Sequence, residues 1–377
     1  MAAKGKPDYI QSLTPLRGIA ALWVVIYHFS MQDFPGLQPD NLTLAIGKGY
    51  LAVDLFFMLS GFVITHVYHD AFARAGHAGY WEFLKARIAR LYPLHLAILA
   101  LFVATALVRR AVDYAATGSF EALPVEGARS LGAIAANIAM LQGIKASELS
   151  WNYPAWSISL EFLAYLAFPI LLPVIWRRGR IGKTFIGLGL ATLLLTFAWY
   201  TGDDFNQWNG PQTLLRCLPE FLIGTLLYAI YRDGIIARAL AANSTALVLL
   251  GLVAYGLHRG APDLAMVMLF AILILALVSN HGIVAQALNI SPLVWLGNVS
   301  YALYLIHGFV QYAAAEALPM LQDGVWQGLN ATQSLTAMGL MVAICLILAH
   351  LCHHGIEVPG RRHCRKLFGI GTRPAAA

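Results

Sequence analysis

Charged residues are scarce in this chain. Only 12% of its 377 residues are charged, whereas 59% are apolar, and a soluble domain of this length carries roughly twice that charge. Cysteine is also rare, and the four cysteines show no CxxC spacing, so no disulfide framework is expected. The formal net charge of +6 comes from basic residues that form no patch with interleaved aromatic residues, which argues against nucleic-acid binding.

Long apolar segments, in contrast, recur from one end of the chain to the other. Their lengths suit a hydrocarbon layer of about 30 Å, and they are continuously apolar rather than alternating, which favours helices over barrel strands. The sequence therefore predicts an all-α polytopic membrane protein with about ten transmembrane helices in one domain, 1–377. The predicted spans are 13–31, 50–68, 88–108, 156–176, 184–200, 214–231, 240–257, 263–279, 294–317 and 333–353.

The distribution of Lys and Arg predicts the orientation. With ten spans and a cytoplasmic N-terminus, most of the 25 basic residues fall on the inner side, so both termini are expected in the cytoplasm. The core is predicted at 10–355, followed by a basic cytoplasmic tail at 356–377. A weaker apolar run at 131–142 is expected to lie on or dip into the membrane. If this run crossed the membrane completely, the basic loop 177–183 would lie on the outside, which argues against a full span.

Several ionisable residues fall inside predicted spans, where a charge costs roughly 2.5–3.5 kcal/mol and marks a functional candidate. Arg17 and His28 lie eleven residues apart in the first span, and this spacing puts them on one helix face about 16 Å apart. Topology brings Asp54 and Glu161, from the second and fourth spans, to the depth of His28. A nearby carboxylate would fix the imidazole tautomer and raise its basicity. A histidine in packing and carboxylates in structural ion pairs are the alternatives.

Basic residues open the third span at the inner face. Arg87 and Arg90 are three residues apart and share one side of a helix. With Lys85 and Arg17 nearby, they form a candidate phosphate clamp; ordinary charge anchoring at the inner face is the alternative. Near the C-terminus, His350, Cys352, His353 and His354 are typical metal-ligand types but lack a repeated spacing, and no metal site is predicted.

Five motifs carry a family resemblance. They are Leu13-Thr-Pro-Leu-Arg17 through His28-Phe29, Gly49 through Asp54 to Ser60-Gly61-Phe62, Arg87-Ile-Ala-Arg90-Leu-Tyr92-Pro93, Trp156-Ser-Ile-Ser159-Leu-Glu161-Phe, and Ser300-Tyr301-Ala-Leu-Tyr304-Leu-Ile-His307. In this order they resemble the acyltransferase-3 family of integral membrane acyltransferases. The chain looks like the stand-alone form, without the C-terminal esterase-like domain of some members.

The resemblance implies a function. It implies transfer of an acyl group, acetyl by expectation, from acyl-CoA to a hydroxyl of a cell-envelope or exported glycan or a lipid-linked sugar. The protein would work in the inner membrane among its lipids, with no metal. The family's Arg-x10-His pattern falls on Arg17 and His28, its Arg-x-x-Arg pattern on Arg87 and Arg90, and its acidic position on Glu161.

These considerations assign a predicted role to each candidate residue. His28, Glu161 and Asp54 are predicted to be catalytic, with His28 acting either as a general base or as an acyl carrier. Phosphates of CoA are predicted to bind Arg17, Lys85, Arg87 and Arg90. The acceptor side is predicted to include Trp156, Tyr301, Tyr304 and His307, for which an interfacial belt or core packing is the alternative.

Two other functions compete with this interpretation. A polytopic transporter of an organic anion or glycan precursor would use the same charges as a pathway, but the sequence shows neither inverted repeats nor paired Gly/Pro-interrupted spans. A membrane acyltransferase of another fold, acting on lipid or protein hydroxyls, would not predict Arg-x10-His in the first span.

Overall fold

The structure, a computed structural model, describes residues 10, 12–119, 121–145, 149–207, 210–317 and 328–370. Lys4, Lys6 and Arg373, which belong to the basic residues predicted on the inner side, lie outside these residues, as do 371–377 of the predicted tail.

Helices make up nearly all of the described chain, and no strand occurs in it. This agrees with the predicted all-α class, because a backbone in lipid must satisfy its hydrogen bonds internally. The helices are α1 (Leu13–His28), α2 (Ala52–Thr117), α3 (Leu131–Ile138), α4 (Gln142–Lys145), α5 (Trp156–Trp176), α6 (Arg180–Thr201), α7 (Leu214–Asp233), α8 (Ile235–Leu240), α9 (Asn243–Arg259), α10 (Asp263–Ser279), α11 (Ile283–Leu288), α12 (Ser291–Ala317), α13 (Ala331–Cys352) and α14 (Val358–Leu367).

All ten predicted spans fall on helices, but the helices differ in length. Eight helical segments in the described chain are long and apolar enough to cross a membrane. The remaining two predicted spans correspond to α9 and α10, which have 17 residues each. At 1.5 Å per residue such a helix is about 26 Å long, slightly less than the hydrocarbon thickness. The chain is thus a multi-pass membrane protein, and its described part contains eight helical segments that meet both criteria and one shorter apolar helix, α10.

The long helix α2 contains the second and third spans and folds back on itself. Arg87 donates a hydrogen bond of 3.0 Å to the hydroxyl of Tyr68, and the Tyr68 and Phe83 rings lie 4.9 Å apart. In a straight helix, 19 residues would separate Arg87 from Tyr68 by about 28 Å. The direction therefore reverses between Phe72 and Phe83, as the predicted topology requires.

The run at 131–142 is not a span. It forms the eight-residue helix α3, and the chain turns before α4. Ser130 caps α3 by accepting a hydrogen bond from the Ala133 amide, and the buried His95 ring lies 3.0 Å from the Asn137 carbonyl oxygen. These contacts tie the segment to the third span.

Glycines allow two pairs of helices to approach closely. A Cβ on Gly18 of α1 would lie 2.5 Å from the backbone nitrogen of Gly297 in α12, and one on Gly61 of α2 would overlap the carbonyl of Phe221 in α7. Small residues at crossings are a usual device of membrane helices, which gain from packing rather than from the hydrophobic effect.

Two π-helical segments interrupt the regular helices. One, Phe29–Asp33, follows His28 at the end of α1; the other, His353–Glu357, joins α13 to α14. The beginning of the predicted tail therefore continues the chain as helix α14. This helix packs against α2 at Gly360, where the absence of a side chain leaves room for Pro93. Such single-turn π segments occur frequently at functional sites.

Candidate active site

A cavity of about 110 Å³ lies between α1, α2, α5 and α12. We call it the arginine cavity, because three arginines contribute to its wall. Its polar lining consists of Arg17, Ser60, Arg87, Arg90, Ser157, Glu161, Tyr165, Ser300, Tyr301 and Tyr304. Four of the five sequence motifs therefore supply predicted site residues to one cavity, and the fifth, which contains Asp54, contributes Ser60.

Arg87 and Arg90 both reach this cavity from the third span. Arg87 is held by its hydrogen bond to Tyr68 and by that ring, whose centroid lies 5.2 Å from the guanidinium carbon. Arg90 forms an ion pair with Glu357 and lies 4.8 Å from the centroid of the Tyr301 ring. Stacking on aromatic rings keeps both guanidiniums oriented. Glu357, which also accepts a hydrogen bond of 3.0 Å from His353, was not identified from the sequence.

Arg17 and Glu161 bring opposite charges into the same space. Both line the cavity, and each lies within electrostatic range of the other. The Tyr165 hydroxyl donates to Glu161 over 2.5 Å and lies 3.0 Å from the Ser60 hydroxyl. The predicted topology placed Glu161 beside His28, whereas in the structure its hydrogen-bonding partner is Tyr165.

Asp54 belongs to a different group. Its two carboxylate oxygens accept hydrogen bonds of 2.6 Å from Nε and Nη2 of Arg216, and Arg216 also donates to the Phe205 carbonyl over 2.7 Å. Glu220, one turn further along α7, lies against this pair. All three side chains are buried. We call Asp54, Arg216 and Glu220 the ion cluster; it does not contain His28, and so the expected meeting of His28, Asp54 and Glu161 is not seen.

His28 lies beyond the cavity, at the end of α1. Its ring stacks on the His307 ring with centroids 5.3 Å apart and contacts the Tyr153 ring at 4.9 Å. The Gln32 amide lies 3.2 Å from Nδ1 of His28, which leaves Nε2 available to a substrate.

Two residues connect this histidine pair with the arginine cavity. The Tyr304 ring contacts His307 at 5.8 Å, and its hydroxyl lies 2.7 Å from the Ser157 hydroxyl. Both Tyr304 and Ser157 line the cavity. A single layer of side chains therefore separates the cavity from the His28–His307 pair.

A row of hydrogen-bonded polar side chains begins beside the histidine pair, and its members were not identified from the sequence. Tyr153 donates a hydrogen bond to Gln311, and Gln311 donates one of 2.6 Å to Asp33. Asp33 lies in the π-helical segment after His28, two residues past the predicted end of the first span, where an acidic residue is unremarkable. Its proximity to His28 in the sequence was the available signal.

The remaining predicted residues have other surroundings. Lys85 is exposed and does not line the cavity. The Trp156 ring lies 6.4 Å from Phe57 and 5.7 Å from the guanidinium of Arg216. Tyr301 donates its hydroxyl to the Leu91 carbonyl over 2.7 Å, so that group is already used in joining α12 to α2. Among the described residues, no group of three or more His, Cys, Asp or Glu side chains is arranged to hold a metal ion.

A family model described as an acyltransferase domain matches residues 10–350. The chain is 26% identical over 394 residues to acyltransferase MdmB of Streptomyces mycarofaciens, covering 97% of this chain and 94% of that protein. It is 24% identical over 321 residues to O-acetyltransferase OatA of Staphylococcus aureus, covering 80% of this chain but 50% of OatA. No solved structure matches the chain.

Proposed function

This chain belongs to the acyltransferase family whose model spans residues 10–350, and from that premise we propose that it transfers an acyl group, acetyl in the simplest case, from acyl-CoA to a hydroxyl of a cell-envelope or exported glycan. Its similarity to an O-acetyltransferase supports an oxygen acceptor. The observation that carries the proposal is the arginine cavity, which ends one layer of side chains away from the His28–His307 pair.

The distribution of charge supports a direction for the reaction. Most basic residues lie on the side of Arg87 and Arg90, which by the positive-inside rule is the cytoplasm. In this orientation both termini are cytoplasmic and the protein lies in the inner membrane. Acyl-CoA then approaches from the inside, while the glycan approaches His28 from the outside.

The cavity has the size and charge for one part of the donor. Arg17, Arg87 and Arg90 favour an anion, and the about 110 Å³ between them is less than the roughly 300 Å³ of even a small ligand pocket. The narrow cavity therefore suits the neutral pantetheine arm and acyl group rather than the adenine base, while its arginines suit the phosphates to which that arm is attached. The rise of about 16 Å from Arg17 to His28 along α1 is the distance that the arm must cover.

His28 then acts as the general base. Nε2 takes the proton from the acceptor hydroxyl while the oxygen attacks the thioester carbonyl. When the carbon–sulfur bond breaks, His28 returns this proton to the CoA thiolate, so that no net proton is consumed. His307, stacked on His28, and Tyr304 confine the reacting groups. Gln32 holds the ring through Nδ1.

The test is acyl transfer by the purified protein in nanodiscs. We expect release of free CoA thiol that depends on a glycan acceptor, and an acyl mass added to envelope glycans only in cells that contain the protein. His28→Ala should reduce the rate by about 10²–10⁴-fold, the usual contribution of a general base. His258→Ala serves as the control, since His258 is exposed, lies 3.1 Å from the Thr43 hydroxyl and does not line the cavity.

Two results would count against the proposal. Retention of activity within a few-fold in folded His28→Ala protein would remove His28 from the chemistry. Labelled acyl-CoA that leaves its label on the protein without an acceptor would replace the general base by an acyl-histidine intermediate and ping-pong kinetics.

A further inference from the structure

A second and larger cavity, of about 410 Å³, lies at the beginning of α12 beside the π-helical segment His353–Glu357. Most of the side chains that line it are polar or aromatic, including Trp295, Asn289 and His353. Its volume falls within the roughly 300–1,000 Å³ typical of small-molecule sites. No sequence motif of the family resemblance includes these residues.

The wall of this cavity offers groups suited to a nucleotide base. The Trp295 ring is 37% exposed, and its indole nitrogen donates to Nδ1 of His350 over 3.2 Å, which fixes the ring and leaves a face for stacking. Asn289 uses its amide nitrogen on the Ala285 carbonyl, while its buried Oδ1 has no hydrogen-bond partner. A free amide oxygen beside an aromatic face is suited to an amino-substituted ring.

The opposite edge of the cavity is suited to phosphates. His353 and His354 line it, with ring centroids 5.0 Å apart, and His350 lies 4.4 Å from His354. The next helix, α14, adds Arg361, which interacts electrostatically with Arg90 and Glu357. Imidazole and guanidinium donors are the usual partners of phosphate oxygens.

The two cavities are separated by a thin wall. Arg90 lines the arginine cavity and pairs with Glu357, and Glu357 accepts a hydrogen bond from His353, which lines the larger cavity. Along α12, Val299 faces the larger cavity and Ser300 the smaller one. Together, the larger cavity and the arginine cavity therefore match the shape of one ligand that has a wide polar head and a narrow arm.

Building on the proposed function, we propose that the larger cavity binds the adenine nucleotide end of the acyl-CoA donor, with the base stacked on Trp295 and the phosphates between the histidine side and Arg90. The arm then passes the Arg90–Glu357 pair into the arginine cavity. Glu357 and the incoming phosphates compete for Arg90, so the ion pair opens when the donor binds.

Kinetics with two donors test this subsite. Acetyl-CoA and acetyl-pantetheine carry the same thioester, but only acetyl-CoA has the nucleotide. Trp295→Ala should raise KM for acetyl-CoA about tenfold or more, as expected for loss of base stacking on an aromatic ring, and leave kcat/KM for acetyl-pantetheine within twofold of wild type. Trp295→Phe should restore most of the affinity for acetyl-CoA, which separates stacking from a folding defect.

Controls distinguish this proposal from its premise. Trp199→Ala, at an 82% exposed ring on α6, should change neither donor's kinetics. Adenosine 3′,5′-bisphosphate should inhibit the wild type and inhibit Trp295→Ala more weakly. Equal loss with both donors, or no change with acetyl-CoA, would overturn the subsite while leaving acyl transfer intact. Failure of the wild type to use either donor would instead overturn the proposed function.

Discussion

Two groups of charged side chains in the interior of this membrane protein differ in how closely their members pack. In the ion cluster, Asp54 and Arg216 are in direct contact at 2.6 Å and Glu220 packs against them. In the arginine cavity, Arg17 and Glu161 line a space of about 110 Å³ instead of forming a direct ion pair. A charge inside a membrane is therefore not by itself a reason to infer a ligand, whereas charges that line a cavity are.

The largest expected effect is on stability and falls in the ion cluster. Arg216→Ala leaves Asp54 and Glu220 buried without their cation, which typically costs about 3–5 kcal/mol. We expect a clearly lower thermal midpoint in detergent and loss of the folded peak in size-exclusion chromatography. Arg216→Met combined with Asp54→Leu removes both charges and should recover part of the midpoint. A stable Arg216→Ala protein that lacks only activity would reassign this cluster to function.

A substitution in the arginine cavity should reduce activity while leaving the stability of the protein unchanged. Glu161→Gln keeps the shape of the side chain but removes its charge beside Arg17 and Tyr165. We expect acyl transfer to fall by about 10²–10³-fold, as for loss of one preorganised polar group, with a thermal midpoint close to that of the wild type. Glu126→Gln, at an exposed carboxylate, is the matched control. A drop in midpoint as large as that of Arg216→Ala would make Glu161 a structural residue.

Arg87 should affect binding rather than turnover. Arg87→Ala removes a guanidinium that is held over the Tyr68 ring in the cavity wall. Loss of one charge-assisted contact of roughly 1.5–3 kcal/mol corresponds to a KM for acyl-CoA raised about 10–100-fold, measured by initial rates at saturating acceptor. Unchanged KM would mean that Arg87 has only a packing role.

Lys85 should show the smallest effect and provides a comparison with Arg87. It lies two residues earlier in the chain but is exposed and absent from the cavity wall, where salt screens its charge. Lys85→Ala should change KM for acyl-CoA by no more than about twofold. A tenfold change, measured in the same assay, would show that the phosphate-binding surface extends out of the cavity to Lys85, as its position in the sequence predicts.

Hydropathy and helical periodicity were sufficient to predict most of the fold. The positions of all ten helical segments follow from apolar length, and the common side of Arg87 and Arg90 follows from their spacing of three. Charge distribution also argued against a full span at 131–142, in agreement with the short α3. These properties depend on the local sequence alone.

Which side chains contact each other at a given depth could be determined only from the structure. Topology fixes the depth of a residue in the membrane but not which helices surround it. For this reason Asp54 and Glu161 were predicted beside His28, whereas their hydrogen-bonding partners are Arg216 and Tyr165. Arg216 and Glu220 form an i, i+4 charged pair inside an apolar span, and the cost of burying charge was sufficient reason to identify them. Glu357, in contrast, lies 267 residues from Arg90, a pairing that no local pattern predicts.

The glycine contact between α1 and α12 determines the height at which the histidine pair forms. Gly18 touches Gly297 at one level and His28 stacks on His307 at another, so the two helices run parallel. Each histidine follows its glycine by ten residues, a rise of about 15 Å on both helices. The backbone contact near the opposite membrane surface thus sets the relative height of the two imidazole rings. A methyl group added at Gly18 would displace one helix and so shift one ring relative to the other without touching either.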